Sequence, residues 1–156
     1  MKSEFAPYYE VMPSEGGHSE FASRYDEDFE ILKHAKEFVR TSENIENKKG
    51  KATISRVSVE RVGAGPAIPL IYDYYRNKHP EMKKVLEETK DFNLIKGEDI
   101  IECAVKTSDP LCSKVVEKFT EIFAVETGNM TIKVLPFGGV YLVGGATQGI
   151  REYKNF

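Results

Sequence analysis

Apolar residues recur at helical spacing in several parts of this chain. Residues 26–40 place them at every third or fourth position, with acidic side chains at the start and with Lys36 and Arg40 near the end, as a helix dipole favours. Residues 66–79 carry a second face of this kind, and Pro66 stands in its first turn, where proline is well tolerated. The pattern therefore predicts two amphipathic helices in the first half of the chain.

The second half repeats this helical pattern. Residues 97–107 predict a short helix, and residues 109–130 predict a long one. Asp109 and Pro110 are suited to its N-cap and first helical position. The predicted buried stripe of this long helix consists of Leu111, Val115, Phe119, Ile122, Phe123 and Met130.

Three segments have strand patterns instead. Residues 5–12 read weakly as a strand, and valines alternate along residues 54–62, which places Ser58 and Glu60 on the opposite face. Residues 137–146 contain a β-rich apolar run between paired glycines, which predicts a strand buried on both faces. Helices that alternate with apolar strands indicate an α/β fold, with the helices packed on a small sheet.

Length and charge limit the function classes. The 156 residues fit a single domain, and 40% hydrophobic with 30% charged residues is typical of globular proteins. Residues 41–53 hold one large apolar residue and predict a solvated loop, and residues 81–96 predict a loop with a helical turn. A net charge of −3, with the basic residues scattered among acids, argues against a nucleic-acid partner.

Cysteine use and hydropathy point to the cytoplasm. Cys103 and Cys112 form no C-x-x-C pair, so we expect both to be reduced, with no zinc site and no other metal site. The first ten residues lack the apolar core of a signal peptide, and two prolines interrupt the most apolar stretch. We therefore expect no membrane partner.

A short polar motif near the start is the first candidate site. The stretch PSEGGHSEF places Glu15 and His18 on either side of two glycines, which favour a sharp bend or a close approach to a ligand. By itself this motif fits a polar surface turn better than a binding site, because such short motifs recur by chance.

Three segments in a fixed order give the motif more weight: EGGH at 15–18, VSVERVGAGPAI at 57–68 and GGVYLVGG at 138–145. Together they resemble the bacterial-type glucokinase family, part of the sugar kinase, actin and heat-shock ATPase superfamily. The resemblance runs from Tyr8 to about Ile150. It implies that residues 1–156 form a single partial domain, part of the large domain of an actin-like ATPase fold.

The resemblance also implies a reaction, in which ATP and Mg²⁺ phosphorylate the 6-hydroxyl of glucose. Carried over residue by residue, the glucose-binding side chains are Glu15, His18 and Glu60, and carboxylates suit this role because each accepts several hydroxyl donors. Without the resemblance, Glu60 is as readily explained by a surface ion pair with a nearby arginine or lysine. Gly144 and Gly145 are the candidates on the nucleotide side, although their segment also fits a central strand with tight ends.

The chain departs from the family at its catalytic groups. The family's catalytic aspartate lies in an N-D segment upstream of E-G-G-H, whereas the only acids before Glu15 here are Glu4 and Glu10. The family's phosphate-binding glycine segments are also missing, so we expect little kinase activity from these 156 residues. A glucokinase segment and a non-catalytic glucose-binding or regulatory module both remain open, as do self-association and association with a missing N-terminal half.

Overall fold

Six α-helices form the frame of the described protein. The structure, a computed structural model, describes residues 13–42 and 56–153. The helices are α1 (Asp26–Ser42), α2 (Val59–Gly63), α3 (Ala67–Lys78), α4 (Gly97–Thr107), α5 (Pro110–Val134) and α6 (Gly145–Arg151). Short 3₁₀ turns lie at Gly16–His18, Val85–Glu88 and Phe92–Leu94.

The helices predicted from periodicity are confirmed. The start of α1 and both ends of α4 fall at the predicted residues, and α1 runs two residues past its predicted end, into the predicted loop. Asp109 caps α5 as expected, because its Oδ1 accepts a hydrogen bond from the Cys112 amide at 2.8 Å. The predicted strand at residues 5–12 and the rest of the predicted loop, residues 43–53, lie outside the described residues.

The predicted sheet is wrong for the described part of the chain. Within residues 13–42 and 56–153 the structure contains no strand, only one isolated antiparallel bridge between Glu20 and Ser58. Val59 begins α2, because Val59 and Val62 lie three residues apart and bury one face of a helical turn. The valine alternation that predicted a strand over residues 54–62 also fits this helical spacing.

The apolar run after α5 is exposed rather than buried. Leu135, with φ +46°, ends α5, and residues 137–143 continue without regular structure. Phe137 is fully exposed, and Tyr141 and Val143 are each 84% exposed. A strand is stable only when it pairs with another, and the described residues offer this segment no partner strand. The prediction of a strand buried on both faces is therefore wrong here.

Helix α5 is the axis of the core. It packs along α3 and α4 and also contacts α2, while α6 packs on α4. The apolar stripe of α5 is buried from Leu111 to Ile122, but Phe123 and Met130 are only half-buried, which corrects the predicted stripe at its C-terminal end. The largest fully buried side chains are Tyr72, Tyr75, Phe119, Ile31, Ile68, Ile71, Ile100, Leu111 and Ile150.

A buried ionic cluster joins α1 to α5. The Lys118 Nζ lies 3.0 Å from Asp28 Oδ1, 2.8 Å from Glu121 Oε2 and 3.2 Å from Glu27 Oε2. Asp28 is fully buried, and its other carboxylate oxygen lies 3.3 Å from the Arg24 Nε. This cluster fixes α1, and the segment before it, against the long helix.

Two glycines give opposite predictions for alanine substitution. Gly128 lies inside α5, and a Cβ there would meet nothing within 4 Å, so Gly128→Ala should raise the free energy of unfolding by about 0.5–1 kcal/mol. At Gly97 a Cβ would lie 3.1 Å from the Gly65 carbonyl oxygen, so Gly97→Ala should lower it by about 1–2 kcal/mol. Urea unfolding measures both, and equal effects of the two substitutions would contradict this packing.

Candidate functional site

The E-G-G-H motif forms a tight 3₁₀ turn. The His18 amide donates to the Glu15 carbonyl at 2.9 Å, and the Ser19 hydroxyl donates to the Gly16 carbonyl at 2.7 Å. A Cβ on Gly17 would lie 3.6 Å from the Glu60 Cβ, so the turn and α2 are in close approach. The turn therefore places the His18 side chain beside Glu60 at the start of α2, while Glu15 contacts His18.

Two main-chain hydrogen bonds hold the turn against α2. The Val59 amide donates to the Ser19 carbonyl at 2.9 Å, and the Phe21 amide donates to the Val57 carbonyl at 3.0 Å. Val57, Val59 and Phe21 are buried beneath this contact. The position of Glu60 relative to His18 is thus fixed by backbone pairing and by core packing.

The structure brings the three predicted sugar-binding residues together. The His18 ring lies between two carboxylates, with Nδ1 3.1 Å from Glu15 Oε2 and Nε2 3.7 Å from Glu60 Oε2. All three side chains are more than half exposed, so each can still reach a ligand. The cluster presents several acceptor oxygens and an imidazole to one small volume of solvent.

A mainly apolar cavity of about 520 Å³ opens beside this cluster, and Glu60 and Gly17 lie on its wall. This volume falls in the range of small-molecule sites. One wall is the last turns of α5, and the other is the exposed segment after α5. The lining residues are Gly17, Val59, Glu60, Gly63, Ala64, Phe123, Glu126, Thr127, Met130, Thr131, Val134, Pro136, Gly139, Val140, Tyr141, Leu142 and Val143.

The predicted nucleotide-side glycines lie just beyond this cavity. Its lining ends at Val143, and Gly144 follows with φ +116°, a conformation that glycine adopts without a Cβ penalty. Gly144 is the N-cap of α6, and a Cβ on Gly144 or Gly145 would meet nothing within 4 Å. Both glycines are therefore open to solvent and are not in contact with the Glu15, His18 and Glu60 cluster.

Sequence reasoning missed the contribution of α5 to this cavity. Phe123, Thr127, Met130 and Val134 share one face of α5 and line it, whereas the sequence assigned Phe123 and Met130 to the core. Their spacing was visible in the sequence. Only the fold shows that the core ends before Phe123 and that the same face continues into an open cavity.

Carboxylates and an imidazole beside an apolar cavity are suited to a small ligand that carries many hydroxyl groups. The family model for glucokinase matches residues 4–154. The chain therefore belongs to the glucokinase family.

Curated relatives agree with this family. The chain is 35% identical to a glucokinase from Nostoc sp. and 34% identical to one from Trichormus variabilis, in each case over 95% of the chain and 44% of the relative. It is 30% identical to a glucokinase from Shigella sonnei over 91% of the chain and 37% of that relative. The chain thus spans less than half the length of these relatives.

Among the described residues, none of the helices is both long and apolar enough to cross a bilayer. Cys103 and Cys112 are both free and buried, as the sequence predicted.

Proposed function

We propose that this chain is the sugar-binding part of an ATP-dependent glucokinase. The observation that carries this proposal is the convergence of Glu60 with Glu15 and His18, which lie more than forty residues earlier in the chain. The resemblance to the glucokinase family implies that these three residues bind the sugar. The two carboxylates accept hydrogen bonds from glucose hydroxyls, and His18 contributes one more contact. The main-chain hydrogen bonds between the turn and the residues at the start of α2 hold His18 and Glu60 close together without a bound sugar.

Phosphoryl transfer needs groups that these 156 residues do not supply. The attacking 6-hydroxyl must lose its proton to a positioned carboxylate, and no aspartate precedes Glu15 in the sequence. The nucleotide side is equally incomplete, because the described residues around Gly144 and Gly145 provide no second wall for a nucleotide. The proposed use of ATP and Mg²⁺ therefore rests on membership of the glucokinase family alone. The same is true of the proposed cytoplasmic location.

The exposed apolar segment at residues 137–143 supports a partner for this chain. The relatives are more than twice as long as the part that this chain matches, and the exposed side chains of Phe137, Tyr141 and Val143 form apolar surface that is costly in water. We infer that the unmatched part of a glucokinase fold covers this segment and completes the cavity. Self-association through the same segment is the competing arrangement.

The kinase activity can be tested with the chain alone and with a chimera. We expect the 156-residue chain to form glucose 6-phosphate at least a thousandfold more slowly than the roughly 1–100 per second of ordinary kinases. A chimera in which the chain replaces its matched segment in the Nostoc glucokinase should phosphorylate glucose, and its Glu60→Gln variant should not. A coupled assay with glucose and ATP measures all three.

Two results would contradict the proposal. Rapid turnover by the chain alone would show that its own residues complete the site. A chimera that is folded, binds ATP and still does not phosphorylate glucose would instead favour the alternative function, a glucose-binding or regulatory module.

A further inference from the structure

The turn between α4 and α5 brings two cysteines and an aspartate together. Cys103 lies in α4, Asp109 caps α5, and Cys112 lies in the first turn of α5. One ligand atom from each residue, two sulfurs and one carboxylate oxygen, lies within 4.8 Å of the other two. We propose that these three residues bind a zinc ion.

The separation of the ligand atoms is close to that of a tetrahedral zinc site. With zinc–sulfur bonds of about 2.3 Å and zinc–oxygen bonds of about 2.0 Å, neighbouring ligand atoms lie about 3.5–3.8 Å apart. Because the ligand atoms lie within 4.8 Å of one another, closing the separation requires a movement of at most about 1.3 Å. Thiolates with a carboxylate favour zinc, whereas Mg²⁺ prefers oxygen ligands alone, so this site is distinct from that of a nucleotide-bound Mg²⁺.

Burial and charge also favour a cation here. Cys103 is 6%, Asp109 5% and Cys112 1% exposed. The Asp109 carboxylate accepts a hydrogen bond from the Cys112 amide at 2.8 Å and also interacts with the Cys112 thiol. A carboxylate has about four lone-pair sites, so Asp109 keeps acceptor capacity for a metal, and the cation would offset the cost of its burial.

Neighbouring groups orient these ligands. The Thr107 hydroxyl donates to the Cys103 carbonyl at 2.7 Å, accepts from the Asp109 amide at 3.2 Å and lies 3.5 Å from the Cys103 sulfur. Three protein ligands leave the fourth tetrahedral position to a non-protein ligand such as water. Zinc binds thiolates, so both thiol protons would pass to the buffer as it binds.

The site is remote from the proposed sugar site. Cys112 and Met130 lie near opposite ends of α5, and eighteen residues of helix span about 27 Å. Zinc would therefore act structurally by joining α4 to α5. This inference does not rest on the proposed sugar kinase activity.

Cobalt titration of the 156-residue chain, kept reduced at mildly alkaline pH, tests the proposal. Co²⁺ in a tetrahedral thiolate site gives sulfur-to-metal charge-transfer absorption and visible d–d bands. We expect both to saturate at one equivalent, to be displaced by zinc, and to disappear in Cys103→Ser and in Cys112→Ser. Zinc should also raise the melting temperature of the wild-type chain but not of these variants.

Two further variants separate metal binding from folding. Asp109→Asn keeps a side-chain oxygen to cap α5 but loses the charge, so it should stay folded and bind cobalt about tenfold or more weakly. Glu102→Gln removes an exposed carboxylate next to Cys103 and should bind as the wild type does. Absence of the charge-transfer bands in the folded wild-type chain, or bands that survive both cysteine substitutions, would overturn the proposal.

Discussion

Replacing Glu15 and Glu60 together by glutamine is expected to lower the affinity of the chain for glucose by about a hundredfold or more. Hydrogen bonds to a charged acceptor contribute about 1.5–3 kcal/mol each, and glutamine keeps the shape of the side chain but loses the charge and one acceptor oxygen. Each single substitution should cost about tenfold. Calorimetric titration with glucose measures these affinities.

Glu20 offers a matched control for this pair. It is an exposed glutamate two residues after His18, and it meets Ser58 through its backbone. Glu20→Gln therefore removes the same charge from the same segment without touching the cluster, and we expect unchanged glucose affinity. If Glu20→Gln weakened binding as much as Glu60→Gln, a general loss of negative charge would explain the effect better than the proposed contacts.

Replacing Lys118 by methionine is expected to lower the free energy of unfolding by about 3–5 kcal/mol. The substitution leaves Asp28 buried without the ammonium group at 3.0 Å, and removing one member of a buried pair costs far more than the pair contributes as a whole. Arg24 remains beside Asp28 and offsets part of this loss. Urea unfolding at neutral pH measures it.

Two companion variants make the Lys118 result specific. Lys133→Met removes an exposed lysine from the same helix and should change stability little. The double variant Lys118→Met with Asp28→Leu should recover much of the loss, because it leaves no buried charge at that position. A double variant no more stable than Lys118→Met would contradict the ion-pair explanation.

The same pair predicts how stability depends on pH. Burial alone would raise the pKa of Asp28, but the hydrogen bonds from Lys118 and from the Arg24 amide bring it below its ordinary value of 3.8. The contribution of this carboxylate is therefore present above about pH 4 and is lost as the pH falls through the lowered pKa. Removing Lys118 takes away effects that lower this pKa, so the Asp28 pKa should be higher in Lys118→Met than in the wild type. The difference in stability between the two proteins should therefore shrink as the pH falls through the variant's pKa and then the wild type's.

The helices were predictable because their signals are local. Acidic residues at the start of α1, and Asp109 with Pro110 at the start of α5, act within one or two turns of the backbone they stabilise. Periodicity then identified the faces that α3 and α5 bury. These features do not depend on the rest of the chain.

The strand predictions failed because burial of a strand depends on residues far away. The run at residues 137–143 has the composition of a central strand, but no described residue pairs with it. For residues 57–62 the valine spacing fits both a strand and a helix. The structure forms a helix there, which buries Val59 and Val62. A partner strand outside the described residues would change the result for residues 137–143 but not the result for residues 57–62.

The residues of one candidate site could be predicted from the sequence, and those of the other could not. Family resemblance, rather than spacing, suggested Glu15, His18 and Glu60, and the structure places them within ion-pair distance. The cluster of Cys103, Asp109 and Cys112 has no established motif, and the sequence alone argued against a metal there. The sequence identifies Asp109 as a helix cap, but it does not show that Asp109 also lies beside the thiols of Cys103 and Cys112.

Amide chemical-shift mapping during a glucose titration tests the proposed sugar site directly, because it locates the sugar on the chain. We expect the perturbed amides to be those of the Gly16–His18 turn, of Val59–Gly63 and of the adjoining turn of α5 around Met130. Amides near Cys112, at the far end of α5, should not shift. Saturating glucose that shifts no amide, or that shifts only amides outside these segments, would contradict a sugar site at Glu15, His18 and Glu60.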